Sequence, residues 1–153
     1  MDHIAAMKRE ATRLEAQAGE LRRQARRAVV RAVERIGLEV RFGRPLDPWD
    51  LIPNDHGHPD AGIWLRATIG GTELRGRAFT WRGEARRVTV HLQTVDEESW
   101  SALDHYPGES MSEERAIEEA VALWAWRELG AGEYRDQPEP GGQLDLLAPS
   151  PEP

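Results

Sequence analysis

A chain of 153 residues has room for one domain with a modest core plus extensions, and with no cysteine it can form neither disulfides nor thiolate metal sites. Its net charge of −7 is segregated: residues 1–41 carry +4, 42–61 carry −3, 62–95 carry +4 and 96–153 carry −12. That asymmetry points to a polyanionic partner, or alternatively to an acidic half that balances the basic half within the molecule.

The first residues are polar and charged, unlike an apolar leader, and no apolar run is long enough to span a bilayer. A cytoplasmic protein without membrane contact is therefore expected, and the lack of cysteine fits a reducing compartment. Nineteen of the twenty basic residues are arginine, a usage that fits a GC-rich bacterial or phage genome.

Residues 2–36 contain no proline, one glycine and many Ala, Arg, Glu and Leu, which predicts one long helix. Ile4, Met7, Ala11, Leu14, Ala18, Leu21, Ala25 and Ala28 recur at alternating spacings of three and four, a coiled-coil-like seam. The stripe then shifts to Val29, Val33 and Ile36, as a stutter would produce. A seam this long cannot be buried against one small sheet, so a homodimer is expected. The alternative is a single amphipathic helix lying on the domain. Arg22, Arg23, Arg26, Arg27 and Arg31 form a basic face that could meet phosphates or simply stay solvated.

Gly37 is a plausible helix terminator. Leu38, Val40 and Phe42 alternate with Glu39 and Arg41 and suggest a strand. Residues 43–61 hold four prolines and read as a structured loop, with Trp49, Leu51 and Ile52 expected to tuck onto the core. Within it, His56-Gly57-His58-Pro59-Asp60 resembles the first half of the metal-binding motif of the metallo-β-lactamase fold. Ala61 stands where that motif has its last histidine. The reading adopted is an exposed turn with no metal and no cofactor; the alternative is a metal-dependent nuclease or hydrolase using His56, His58 and Asp60, with Asp55 nearby.

Gly62–Val95 predicts three antiparallel strands. A two-residue turn at Gly70-Gly71 sets Ala67 opposite Leu74, Leu65 opposite Gly76 and Ile63 opposite Ala78. An odd-length loop then lets Val88, Val90 and Leu92 join that face opposite Thr80, Ala78 and Gly76. The other face carries Trp64, Arg66, Arg75, Arg77, Phe79, Trp81, Arg87 and His91. Arginines there could contact phosphates while Trp64, Phe79 and Trp81 stack on bases; the alternative is a face covered by a helix or a second subunit. Arg75-Gly76-Arg77-Ala78-Phe79 resembles part of the octapeptide of the RNA-recognition motif, although Arg77 replaces a required aromatic. The arrangement is also similar in architecture to integrase arm-binding and AP2-type domains, whose sheet carries Arg and Trp to DNA. The nucleic-acid-binding set expected is Trp64, Arg66, Arg75, Arg77, Phe79, Trp81 and Arg87, with DNA or RNA as partner.

Val95–Gly108 reads as an acidic connector. Ser110 or Ser112 caps a helix running to about Leu129, with Ile117, Ala120, Val121 and Trp124 facing the sheet, and Gly130 ends it. Gly76 and Ala78 are expected to leave room for Trp124. Residues 131–153 are rich in Pro, Gly and acid and read as disordered. Inside them, Gln143-Leu144-Asp145-Leu146-Leu147 resembles the pentapeptide by which bacterial replication and repair proteins dock on the sliding clamp. The resemblance implies that Gln143 sets register at the pocket rim and that Leu144, Leu146 and Leu147 anchor in a hydrophobic cleft, with Asp145 at the variable position. The alternative is that the leucines dock back on the chain's own domain.

The expected fold is α+β: a long N-terminal helix (residues 1–37), a small domain with an antiparallel sheet of three to four strands and one packed helix (38–130), and a tail (131–153). There is no Gly-rich phosphate loop, HExxH or nucleophile elbow. The function expected is therefore a non-enzymatic accessory protein of DNA replication or repair, or of a phage or mobile element, docked on the sliding clamp. The alternatives are the metal-dependent hydrolase and a protein-binding scaffold or host-defence antagonist.

Overall fold

A computed structural model describes residues 2–51, 58–83, 85–108 and 110–131. The chain forms α1 (Asp2–Arg35), β1 (Glu39–Pro45), β2 (Ala61–Ile69), β3 (Thr72–Trp81), β4 (Arg87–Thr94), β5 (Ser101–His105) and α2 (Glu113–Leu129), with a short 3-10 turn at Pro48–Asp50. The five strands make one antiparallel sheet in sequential order. Both helices pack on one of its faces, giving an α+β fold.

The predicted register holds throughout the central hairpins. Ala67 pairs with Leu74, Leu65 with Gly76 and Ile63 with Ala78. Val88, Val90 and Leu92 pair with Thr80, Ala78 and Gly76. Gly70 and Gly71 take positive φ values of 52° and 85°, the geometry the tight turn demands. The β3–β4 loop spans residues 82–86, an odd number, so the valines face the core.

The core is built from Leu65, Leu74, Val88, Val90 and Leu92 of the sheet, Ile117, Val121 and Trp124 of α2, and Val30 and Val33 of α1. Ser112 Oγ accepts from the Arg115 amide at 3.1 Å, and Glu113 and Glu114 lie in the first turn, where the helix dipole favours them. At the other end Gly130 is left-handed (φ 69°). Its amide bonds to Trp126 O, the αL closure, and the amide of Ala131 bonds to Ala125 O. Arg115 reaches across to Glu34 with both Nη atoms, which ties the two helices together.

Two details differ from expectation. The sheet has five strands, where three to four were expected. Ser101–His105, read as connector, is the fifth: its middle residue Leu103 pairs with Val90, but His105 occupies an inward position and hides the alternation. His105 is buried and bonded to Glu119 at 3.0 Å. Trp124 is fixed by its Nε1, which donates to Ser101 O and Oγ at 3.1 and 2.9 Å. Gly76 is required by its backbone neighbours, since a Cβ there would collide with the carbonyl oxygen of His91 and the backbone of Leu92. In the proline-rich loop Trp49 is exposed and Leu46 is the buried anchor, with Leu51 half-buried; Ile52 lies outside the described residues.

α1 contains 34 residues and so is about 50 Å long, well beyond the edge of the sheet. Only its last turns enter the core. Ile4, Met7, Leu14 and Leu21 of the seam are 50–58% exposed. Among the described residues no helix is long and apolar enough to cross a membrane.

Candidate nucleic-acid interface

The sheet face away from the helices displays the side chains that alternation assigns to it. Trp64 pairs with Arg77, Arg66 with Arg75 and Gly62 with Phe79, and Trp81 pairs with Arg87. All seven residues of the expected nucleic-acid-binding set therefore share one face. They fall into a packed part and an open part.

The packed part centres on Arg77. Its guanidinium lies 5.7 Å from the Trp64 ring centroid, 5.6 Å from Phe79 and 5.9 Å from Trp100. Its Nη2 donates to His91 Nδ1 at 3.0 Å. His91 is held below the usual histidine range, first by burial and then by the charge of Arg77, so it stays the neutral acceptor at neutral pH. At the far end Arg87 stacks on Trp81 at 4.1 Å. Trp81 Nε1 donates to Thr89 Oγ1 at 3.0 Å, and that hydroxyl donates to Asp104 at 2.6 Å. Leu46 and Leu51 of the loop lie against Gly62 beside Phe79 and roof that region. Trp64, Arg77, Phe79, Trp81 and Arg87 are thus half-buried and largely occupied with one another.

The open part is a row of arginines. Arg41 on β1 pairs with Arg66 on β2, and Arg66 pairs with Arg75 on β3. Neighbouring strands are about 4.8 Å apart, so three guanidinium groups rise from a strip about 10 Å across. All three residues are exposed. Like charges directly opposite one another across strands destabilise a sheet. The partners on hand are weak. Arg41 lies 3.9 Å from Glu39 and Arg66 lies 3.8 Å from Glu73, both exposed pairs worth at most about 1 kcal/mol. Arg75 Nε donates to the amide oxygen of buried Gln93 at 2.9 Å, which orients the side chain without neutralising it.

A groove of about 370 Å³ opens beside this row, lined by Arg41, Gly43, Trp64, Arg66, Arg75 and Trp100 among others. A register shift between Phe42 and Pro45 shapes its rim. The bulge sets Arg44 over the Trp64 ring at 5.7 Å and lays Gly43 against the Trp64 backbone. Trp64 Nε1 and Arg77 Nε are buried donors with no acceptor among the described residues.

Arg41 and Trp100 belong to this site and were outside the expected set. Alternation on β1 placed Arg41 outward, but nothing in the sequence paired it with Arg66. Trp100 lies in the acidic segment before β5; its place follows only once Ala102 is known to pair with His91.

His58 Nδ1 is engaged with Pro59 O at 2.8 Å, and Asp60 accepts from the Arg82 amide. His56 and Asp55 lie outside the described residues, as do Gln143, Leu144, Asp145, Leu146 and Leu147 and the rest of the tail from residue 132. Among the described residues no group of three or more His, Asp or Glu is placed to hold a metal ion. Comparison with protein-family models, curated proteins and solved structures finds no match to this chain.

Proposed function

We propose that this chain is a non-enzymatic, nucleic-acid-binding accessory protein of DNA replication or repair, or of a phage or mobile element, acting in the cytoplasm. The observation that carries the reading is the exposed cross-strand row Arg41–Arg66–Arg75 beside a tryptophan-walled groove. A row of like charges with only weak, exposed counter-charges beside it weakens the sheet in isolation, and a phosphate backbone along it turns the same charges into favourable contacts. In this reading the projecting seam of α1 pairs two copies of the chain. Gln143–Leu147 hooks the dimer to the sliding clamp, which encircles DNA, so the arginine row meets phosphates at high effective concentration.

The test is binding of the full chain to a bacterial sliding clamp, to DNA, and to the clamp encircling DNA. The third should be tightest. Gln143→Ala with Leu146→Ala should remove the contribution of the clamp, and Arg66→Gln with Arg75→Gln that of the DNA. Wild-type chain that ignores the free clamp would overturn the tether; arginine variants that bind DNA unchanged would overturn the interface.

A further inference from the structure

The arginine row ends in an aromatic platform. Ala102 pairs with His91 on the open face, and Trp100, two residues earlier, falls on that same face. Its inner side rests on His91, with ring centroids 5.1 Å apart, and near the Arg77 guanidinium at 5.9 Å. Trp100 is nevertheless 41% exposed, so a ring face remains open to solvent at the mouth of the groove. Trp64 is more enclosed: it is half-buried, with Arg44 and Arg77 each 5.7 Å from its ring centroid.

Resting on the nucleic-acid reading above, we propose that the groove takes single-stranded nucleic acid, with phosphates along Arg41, Arg66 and Arg75 and one unpaired base stacked on the outer face of Trp100. Three considerations favour a single strand over a duplex. In a duplex the flat faces of the bases are covered by their neighbours, so a lone tryptophan has nothing to stack on. The groove, at about 370 Å³, is on the scale of one nucleotide, which a base splayed out of a single strand can enter. Finally, the arginines form a short strip on a sheet, which follows one backbone; among the described residues no helix or two-stranded ribbon projects from this strip to enter a major groove.

The experiment is a fluorescence-anisotropy titration of the full chain at low salt. The probe is a labelled strand of about 16 nucleotides, at the upper end of single-strand site sizes. It is offered as DNA, as RNA, and annealed to its complement. Trp100→Leu keeps an apolar cover over His91 but removes the ring; Trp100→Phe keeps a ring. Tighter binding of a single strand than of the duplex is expected, with a loss of about ten-fold for that strand in Trp100→Leu and recovery in Trp100→Phe. Duplex binding should be nearly unchanged in both variants. Equal affinity for single strand and duplex, unmoved by Trp100→Leu, would overturn the inference while leaving a nucleic-acid interface standing. Absence of binding to every probe would overturn both.

Discussion

Arg66 and Arg75 stand directly opposite one another on β2 and β3, both exposed, with Arg41 in line on β1. A sheet selected for stability alone would place opposite charges there. The single acidic residue beside each of Arg41 and Arg66 is too far away and too solvated to offset the repulsion.

Removing the middle charge relieves two repulsions at once. Arg66→Gln is expected to leave stability unchanged or to raise it by up to about 0.5 kcal/mol, while weakening nucleic-acid binding. Urea denaturation read alongside a binding titration separates the two effects. A loss of more than about 1 kcal/mol in stability would mean that Arg66 serves the fold and not a ligand.

Gly76 lies under the interface and against the backbone of β4. Gly76→Ala forces a Cβ onto the His91 carbonyl and the Leu92 backbone, neither of which can move aside as a flexible side chain would. A destabilisation of about 3 kcal/mol or more is expected, because overpacking between two central strands cannot relax locally. Thermal unfolding followed by circular dichroism checks it.

The seam on the projecting part of α1 should be the dimer contact. Leu14→Glu with Leu21→Glu should convert the chain to a monomer in sedimentation velocity while the core, which α1 enters from Val29 onward, keeps its cooperative melt. A wild-type chain that sediments as a monomer at high micromolar concentration would contradict the pairing of copies.

Stability should fall on acidification. Burial, foremost, holds His105 below its ordinary value even though Glu119 pulls the other way; Arg26 adds to the depression. His91 is lowered by burial and by Arg77. For a histidine whose folded pKa lies below the unfolded value of about 6.5, the fold favours the neutral form. The contribution is therefore present above that value and is lost as pH drops through it and through the folded pKa. Melting temperature should decline between pH 7.5 and 5.5, and His105→Gln, which keeps a donor toward Glu119, should shrink the decline. A flat profile in the wild type would contradict the burial argument.

Much of the fold was legible because the sheet obeys its period. Ile63, Leu65 and Ala67 against Leu74, Gly76 and Ala78 left one register that buries them all, and Gly70-Gly71 fixed the turn. Ser112 and Gly130 likewise marked α2 by their capping chemistry. The fifth strand was not legible: a five-residue edge segment with His105 facing inward is explained only by Glu119, which approaches from another element. The site was half legible for the same reason. Alternation put eight residues on one face, but which arginines stay open depends on Leu46, Arg44 and Trp100 arriving from segments with no periodic signal. Arg77, central in sequence, is wrapped in rings, whereas Arg41 at the edge is open.

The salt dependence of binding tests the interface most directly. For a single strand each phosphate neutralised contributes about −0.7 to the slope of log Kobs against log salt, so three arginines predict about −2. Replacing Arg41, Arg66 and Arg75 together by Gln should bring the slope close to zero with the cooperative melt retained. A slope that is the same in wild type and triple variant, or a wild-type chain that does not bind, would contradict the account.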